Sequence, residues 1–150
     1  GIFLETFMDL EMLKIACEEA RQYDVPLLCS MSFTKYNPKK GGRTMFGNTP
    51  KQIAETLAEF GPEAIGLNCS EGPEETLPII KEYGEVTDIP LIYKPNAGKP
   101  KVEGGSEVDY SDFAEEVSKA AEVPGLKYIG GCCGSSPLYI KALAEKIRTL

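Results

Sequence analysis

Five short apolar segments alternate with five segments of helical periodicity along this 150-residue chain. The apolar segments are rich in Ile, Leu or Tyr and lack polar alternation, a pattern typical of strands buried on both faces of a parallel sheet. These predicted strands cover residues 2–4, 26–31, 64–67, 90–93 and 126–129. Apolar residues spaced by three and four predict helices over residues 9–23, 52–60, 74–86, 113–122 and 138–147.

Three of these helices carry recognisable start signals. Thr49-Pro50 and Ser136-Pro137 each place a capping hydroxyl before a proline at the first helical position. The third helix follows a Gly-Pro pair and has acidic side chains in its first turn, beginning with Glu74. These signals support the alternation of strand and helix.

Alternating strands and helices build a parallel sheet that is either doubly wound or closed as a barrel. No glycine-rich dinucleotide turn follows the first strand, and the chemically marked residues follow several strands, as around a barrel mouth. A barrel of this kind needs eight strands over roughly 250 residues. We therefore expect an α/β fold in which residues 1–150 form the later part of a larger barrel domain, with two open sheet edges that other segments cover. The chain starts with Gly1, almost inside a predicted strand, so we expect a fragment.

Composition narrows the classes of partner. The chain is 42% hydrophobic and 26% charged, which is enough for one globular core. Its formal net charge of -7 argues against nucleic acid or an anionic membrane as a partner, and no apolar run reaches membrane-spanning length. Five cysteines fit poorly with a fully paired disulfide framework, so we expect a reducing, cytoplasmic setting.

Two predicted connections, residues 34–48 and 96–108, are longer than usual and rich in Gly, Pro and Lys. The first contains a basic cluster that could meet an anionic cosubstrate. A solvated loop is the preferred interpretation, because nothing in it resembles a phosphate-binding motif. The basic residues are Lys35, Lys39, Lys40 and Arg43.

Three cysteines stand where two predicted strands end. Cys69 follows the third strand, and Cys132 and Cys133 follow the fifth. The ends of these next-but-one strands should lie about 10 Å apart, and zinc, with Zn–S bonds of about 2.3 Å, can bridge such side chains. Adjacent cysteines can share a metal only where the strand breaks its pleat, which the surrounding glycines permit. Three thiolates with an open fourth position predict a catalytic zinc site.

The donor set also favours one kind of chemistry. Three thiolates make the metal a weak hydrolytic Lewis acid and suit activation of a substrate thiol, which implies alkyl transfer to sulfur. The chain contains no histidine, so Ser-His and Cys-His catalysis are excluded within it.

Other interpretations of the cysteines remain open. A closed structural zinc site would need a fourth protein ligand, and paired CxxC knuckles are absent. A thiol oxidoreductase would use Cys69 with one of the adjacent pair, although these lack CxxC spacing. A non-catalytic half-barrel with packed cysteines or a structural metal is the third alternative. Cys17 and Cys29 are predicted to be core residues.

Four segments, in the same order, resemble the homocysteine S-methyltransferase family, most closely its cobalamin-dependent methionine synthases. Together they span nearly the whole chain, and the Gly-Gly-Cys-Cys-Gly run with an upstream Asn-Cys is highly specific. The segments are Phe3-Leu4-Glu5-Thr6-Phe7, Gly66-Leu67-Asn68-Cys69-Ser70 with Gly72-Pro73-Glu74-Glu75, Pro95-Asn96-Ala97-Gly98-Lys99-Pro100, and residues 130–137.

This resemblance implies a TIM-type (βα)8 barrel in which the chain supplies strands 4 to 8 and lacks the first strands. It implies zinc ligation by Cys69, Cys132 and Cys133, with the sulfur of homocysteine as fourth ligand and methionine as product. Glu5 matches the family's acidic residue for the substrate ammonium. Asn96 matches a residue that lines the same pocket.

The resemblance also implies partners outside the chain. The Pro-Asn-Ala-Gly-Lys-Pro segment favours methylcobalamin, carried by a corrinoid module, over S-methylmethionine or betaine as methyl donor. An Asp-Gly turn that completes the amino acid pocket belongs to the missing opening strands. The isolated chain would therefore need the N-terminal half-barrel, or a second copy, to cover its open side. Lys94 and the basic loop depart from the family pattern.

Overall fold

The computed structural model describes residues 1–98, 106 and 108–150 as five parallel strands alternating with helices. Neighbouring strands pair in sequence order, β1-β2-β3-β4-β5, and every pair is parallel. The predicted α/β fold is confirmed. The strands are β1 (Ile2–Phe7), β2 (Leu27–Met31), β3 (Ala64–Cys69), β4 (Leu91–Pro95) and β5 (Leu126–Ile129).

Five helices follow the strands, as the apolar spacing predicts. The first ends at Ala20, earlier than predicted, because residues 21–25 turn into the next strand. The fourth starts at Tyr110 and continues as a short 3₁₀ helix, Lys119–Glu122. The helices are α1 (Leu10–Ala20), α2 (Pro50–Ala58), α3 (Pro73–Val86), α4 (Tyr110–Ser118) and α5 (Pro137–Ile147).

The helix start signals are confirmed to different degrees. The Thr49 hydroxyl accepts from the backbone N–H of Gln52, whose side chain accepts from the N–H of Thr49, a complete capping box at α2. Gly72 caps α3, with acidic side chains in its first turn. Ser136 occupies the N-cap position of α5, but its side chain makes no capping hydrogen bond.

The core lies between the sheet and the helices and is densest around β3, where five of six residues are buried. Burial on both faces was also predicted for β1 and β5, and there the prediction is wrong. Each pairs with one neighbour only, and Phe3 and Tyr128 are both 38% exposed. An edge position leaves one face without the packing that a closed barrel provides.

The first long connection, residues 34–48, lies entirely within the described residues, and the second lies partly outside them. In the first, Lys35, Lys39 and Lys40 are exposed, in agreement with a solvated loop, and the N–H of Gly42 donates to the Glu82 carboxylate on α3. In the second, Lys99-Pro100 of the family segment lie outside the described residues. Within the described ranges, no helix is long and apolar enough to cross a membrane.

Candidate metal and substrate site

The three predicted cysteine ligands meet at the carboxyl edge of the sheet. Cys69 is the last residue of β3, and Cys132 and Cys133 lie in the loop after β5. Their Sγ atoms all lie within 4.8 Å of one another, and those of Cys69 and Cys133 are 3.7 Å apart. Cys69 and Cys132 are partly buried and Cys133 is exposed. The folded chain thus brings the trio together on the accessible rim of the sheet.

An unusual backbone turn positions Cys69. Cys69 and Ser70 have φ values of 57° and 71°, in the left-handed region that costs a residue with a side chain about 1–3 kcal/mol. The Ser70 hydroxyl accepts from the N–H of Phe33, at 2.8 Å, and donates to the carbonyl of Asn68. These bonds hold the strained turn at the end of β3.

The cysteine pair is fixed by backbone bonds to the segment after β4. The N–H of Cys132 donates to the carbonyl of Pro95 at 2.9 Å, and the N–H of Ala97 donates to the carbonyl of Cys133 at 2.8 Å. The strand has already ended at Ile129, as sharing of a metal by adjacent cysteines requires. Gly134, with φ of 79°, permits the turn that follows.

Asn96 connects the two cysteine loops through both ends of its amide. Its Oδ1 accepts from the N–H of Cys133 and its Nδ2 donates to the carbonyl of Ser70, both at 3.0 Å. The predicted pocket residue is therefore placed beside the ligands, where it also braces them. Its contact with substrate stays a prediction.

Asn68 is a buried polar residue of the site that sequence analysis does not predict. It is fully buried, and its Oδ1 accepts from the Thr6 N–H at 2.9 Å and from the Ser30 hydroxyl at 2.6 Å. Its Nδ2 donates to the Thr6 hydroxyl at 2.7 Å and lies 3.8 Å from Sγ of Cys132. The available signal is an amide near the end of an otherwise apolar buried strand.

Glu5, the predicted ammonium-binding residue, lies on β1 and forms an ion pair. Its Oε2 is 2.7 Å from Nζ of Lys94 on β4. The same Nζ lies 4.8 Å from the centre of the Phe3 ring. The structure therefore adds a cation, which sequence reasoning did not place in the site, next to the predicted carboxylate.

The donor set fits zinc. Tetrahedral coordination with Zn–S bonds of about 2.3 Å requires sulfur atoms about 3.8 Å apart, close to the 3.7 Å between Cys69 and Cys133. The hydrogen bond with Cys69, together with the charges of Cys69 and Cys132, raises the pKa of Cys133 to about 11. Three thiolates so close together repel one another, and a divalent cation offsets that repulsion. Among the described residues, no carboxylate joins the three sulfurs, which leaves a fourth position for another ligand.

The other two cysteines lie apart from this site. Cys17 on α1 and Cys29 on β2 are fully buried, with their Sγ atoms 3.6 Å apart. They belong to the hydrophobic core, as predicted.

Comparisons with known proteins identify the fold and the family. The chain resembles the homocysteine methyltransferase MmuM from Escherichia coli in its apo form, with a TM-score of 0.71 and 22% identity, over 96% of this chain and 48% of that one. The metallated form of MmuM gives a TM-score of 0.70 and 22% identity, over 96% and 44% of the two chains. A dihydrodipicolinate synthase from Acinetobacter baumannii, complexed with pyruvate, gives 0.54 and 18% identity, over 93% and 45%.

These likenesses show the fold, a partial TIM-type barrel. The chain spans about half the length of the structures it matches, 48% in the case of apo MmuM. The family model for homocysteine S-methyltransferase matches residues 1–147. This chain belongs to the homocysteine S-methyltransferase family.

Proposed function

We propose that this chain is the zinc-binding segment of a homocysteine S-methyltransferase that produces methionine. The observation that carries the proposal is the cluster of three thiols, all within 4.8 Å, at the carboxyl edge of the sheet in a member of this family. Functional groups of parallel barrels gather at that edge. The cluster supplies three ligands of one soft type and leaves a fourth position for a substrate sulfur.

Each part of the site has a role in this proposal. Cys69, Cys132 and Cys133 would hold the metal, and Asn96 fixes the spacing of their two loops. When bound, zinc supplies a Lewis acid that lowers the pKa of a coordinated thiol. Glu5 presents a carboxylate for the ammonium group of homocysteine. The homocysteine thiol would lose its proton to solvent, and the resulting thiolate would form a bond to the methyl carbon while the bond from that carbon to the donor breaks and its electron pair leaves with the donor.

The donor and the remaining partners lie outside the described residues. We favour methylcobalamin, because the Pro-Asn-Ala-Gly-Lys-Pro segment resembles that of the cobalamin-dependent members, and Ala97 of this segment bonds directly to Cys133. The two edge strands and the length relative to MmuM support a need for the N-terminal half-barrel or a second copy. All five cysteines are free, which supports the expected cytoplasmic setting.

Metal content tests the first step of the proposal. The reduced protein should bind one zinc per chain, and the double variant Cys69→Ala with Cys133→Ala should bind none. Cys17→Ala removes a buried thiol outside the cluster and is the matched control, with zinc content unchanged. Plasma mass spectrometry of the desalted proteins gives the ratio. A wild-type chain without zinc, or a double variant that keeps it, contradicts the proposal.

Methyl transfer tests the second step. The chain is combined with the N-terminal half-barrel of its own protein, and isotope-labelled methionine is measured with labelled methylcobalamin, S-methylmethionine or betaine. Methionine formed from methylcobalamin alone supports the donor assignment, and methionine from another donor replaces it. Absence of transfer with every donor supports the non-catalytic half-barrel.

One distance favours a second candidate function. Sγ of Cys69 and Sγ of Cys133 are 3.7 Å apart. These two thiols could be oxidised to a disulfide with little movement, as the activity of a thiol oxidoreductase requires. Mass spectrometry after mild oxidation in a defined glutathione buffer detects this bond. Reversible oxidation together with failure to bind zinc would favour the oxidoreductase over the methyltransferase.

A further inference from the structure

The inner surface of the sheet carries an ion pair between two strands that are not neighbours. Nζ of Lys94, on β4, lies 2.7 Å from Oε2 of Glu5, on β1. Both side chains keep contact with solvent, with exposed fractions of 27% for Lys94 and 44% for Glu5. An ion pair that is exposed to this degree contributes little to stability. We therefore ask what this ion pair contributes to the candidate site, rather than to the stability of the fold.

The register of the strands places this pair directly beside the cysteine cluster. Lys94 is the pairing partner of Asn68, and the next pair along the same two strands is Pro95 with Cys69. The amide of Asn68 reaches to 3.8 Å from Sγ of Cys132. One residue along a strand is a rise of about 3.3 Å, so the backbone of Lys94 lies one residue before that of Pro95, the pairing partner of Cys69.

The stem of Lys94 is held on this inner surface. Gly130 lies against the stem, because a Cβ atom at position 130 would meet Cγ of Lys94 at 3.5 Å, an ordinary packing distance. On the other side, the ammonium group lies 4.8 Å from the ring centre of Phe3, a favourable cation–π distance. These neighbours direct Nζ toward the space beside Glu5.

We propose that Lys94 is a substrate-binding residue that takes the carboxylate of an α-amino acid thiol, while Glu5 takes its ammonium group. This inference rests on the function proposed above. A zwitterion has one charge of each sign, and this pair offers the complement of both. The Lys94 ammonium has three N–H donors and the Glu5 carboxylate has two oxygens. Each group can therefore keep its bond to the other and still bind a group of the substrate.

Three thiol compounds distinguish recognition of the carboxylate from recognition of the ammonium group. Homocysteine has both the carboxylate and the ammonium, 4-mercaptobutanoic acid has the carboxylate alone, and 3-mercaptopropylamine has the ammonium alone. Isothermal titration calorimetry measures the affinity of each thiol for the zinc-loaded chain combined with the N-terminal half-barrel. Lys94→Gln should weaken binding of the two carboxylate-bearing thiols about tenfold or more and leave 3-mercaptopropylamine unchanged. Lys94→Arg should restore most of the loss, since it keeps the positive charge.

Glu5→Gln is the reciprocal control. It should weaken homocysteine and 3-mercaptopropylamine and spare 4-mercaptobutanoic acid. Equal effects of Lys94→Gln on all three thiols, or no effect on any, overturn the assignment of Lys94 while thiol binding to the metal stands. A wild-type chain that is loaded with zinc, combined with the N-terminal half-barrel and still binds none of the thiols overturns the proposed function and this assignment with it. Thermal melting of each variant shows that the fold is retained.

Discussion

At the scale of single residues, the amide side chain of Asn96 connects the two cysteine loops. Asn96 spans from the carbonyl of Ser70, next to the first cysteine, to the N–H of Cys133. Residues that orient metal ligands in this way typically change metal affinity by a factor of about 10–100 when they are replaced. The amide is therefore the residue through which the two halves of the metal site are aligned.

Replacement of Asn96 by Asp should weaken zinc binding about 10–100-fold, because a carboxylate cannot donate to the carbonyl of Ser70. Competition with a chromophoric chelator measures this affinity. Asn37→Asp is the matched control: among the described residues, the side chain of Asn37 accepts from the N–H of Lys39 and donates to none, so the carboxylate preserves that bond and zinc affinity should not change. Equal affinity of both variants would show that the Asn96 bridge does not align the ligands.

Two buried tyrosines provide an opposite pair of predictions. Within the described residues, the Tyr83 hydroxyl has no hydrogen-bond partner, whereas the Tyr93 hydroxyl bonds to Thr76 and to the carbonyl of Pro73. Burial raises the pKa of both hydroxyls, so both stay neutral. Tyr83→Phe should raise the free energy of unfolding by about 1 kcal/mol, and Tyr93→Phe should lower it by about 1–2 kcal/mol.

Urea denaturation followed by circular dichroism measures both changes. Since the two substitutions remove the same atom from buried positions, their difference reports the hydrogen bonding alone. A loss of stability in Tyr83→Phe would contradict the prediction and would indicate a bound water at that hydroxyl.

The clustering of the three cysteines could be predicted from sequence because they follow apolar strands at a position where parallel sheets place their chemistry. The partners of Asn96 and Lys94 could not. Both depend on the register between strands and on loop geometry, and neither leaves a periodic signal in the chain. Lys94 meets Glu5 across 89 positions of sequence, a contact that only the completed sheet defines.

At the scale of whole elements, β3 and β4 approach each other closely at one glycine. Gly66 on β3 lies opposite Ile92 on β4, and a Cβ atom at position 66 would run into the backbone carbonyl of Ile92. The apolar pattern predicted the existence of both strands, and it could not reveal this close approach. Likewise, the exposure of β1 and β5 follows from their edge positions, which their own residues do not encode.

Gly66→Ala should destabilise the chain by about 1–3 kcal/mol, the usual range for an overpacked position, because backbone atoms cannot rotate away as a side chain can. Gly130→Ala is the control, since within the part of the chain that the structure describes its new methyl group would meet Cγ of Lys94 alone, at 3.5 Å. Urea midpoints of the two variants give the comparison. Equal stability of Gly66→Ala and wild type would show that the strands separate at little cost.

At the scale of the whole molecule, the candidate site is built from residues of β1, β3 and β4 and of the loop after β5. The order of the five strands confirms the sequential sheet expected from the alternating pattern. The pattern also predicted that a barrel would need more strands, because eight are required for closure. What packs against the exposed Phe3 and Tyr128 is not encoded in these residues.

Removal of metal should lower the melting temperature of the folded chain. Binding of zinc to the native state alone stabilises it by RT ln(1 + [Zn]/Kd), about 4 kcal/mol at a thousandfold excess over Kd. Differential scanning calorimetry with and without a strong chelator measures the shift. The double variant Cys69→Ala with Cys133→Ala should show no shift, and an equal shift in both proteins would place the metal elsewhere.

The sequence separation of the three sulfurs has a consequence for biosynthesis. Cys69 and Cys133 are 64 positions apart, and the backbone that carries the second cysteine is held by Pro95 and Asn96. While the ribosome is still adding the residues between them, a nascent chain can offer a metal ion one thiol of the trio. Loading of the proposed metal must therefore follow synthesis of β5, and messages truncated before the codon for Cys133 would yield polypeptides that lack part of this centre.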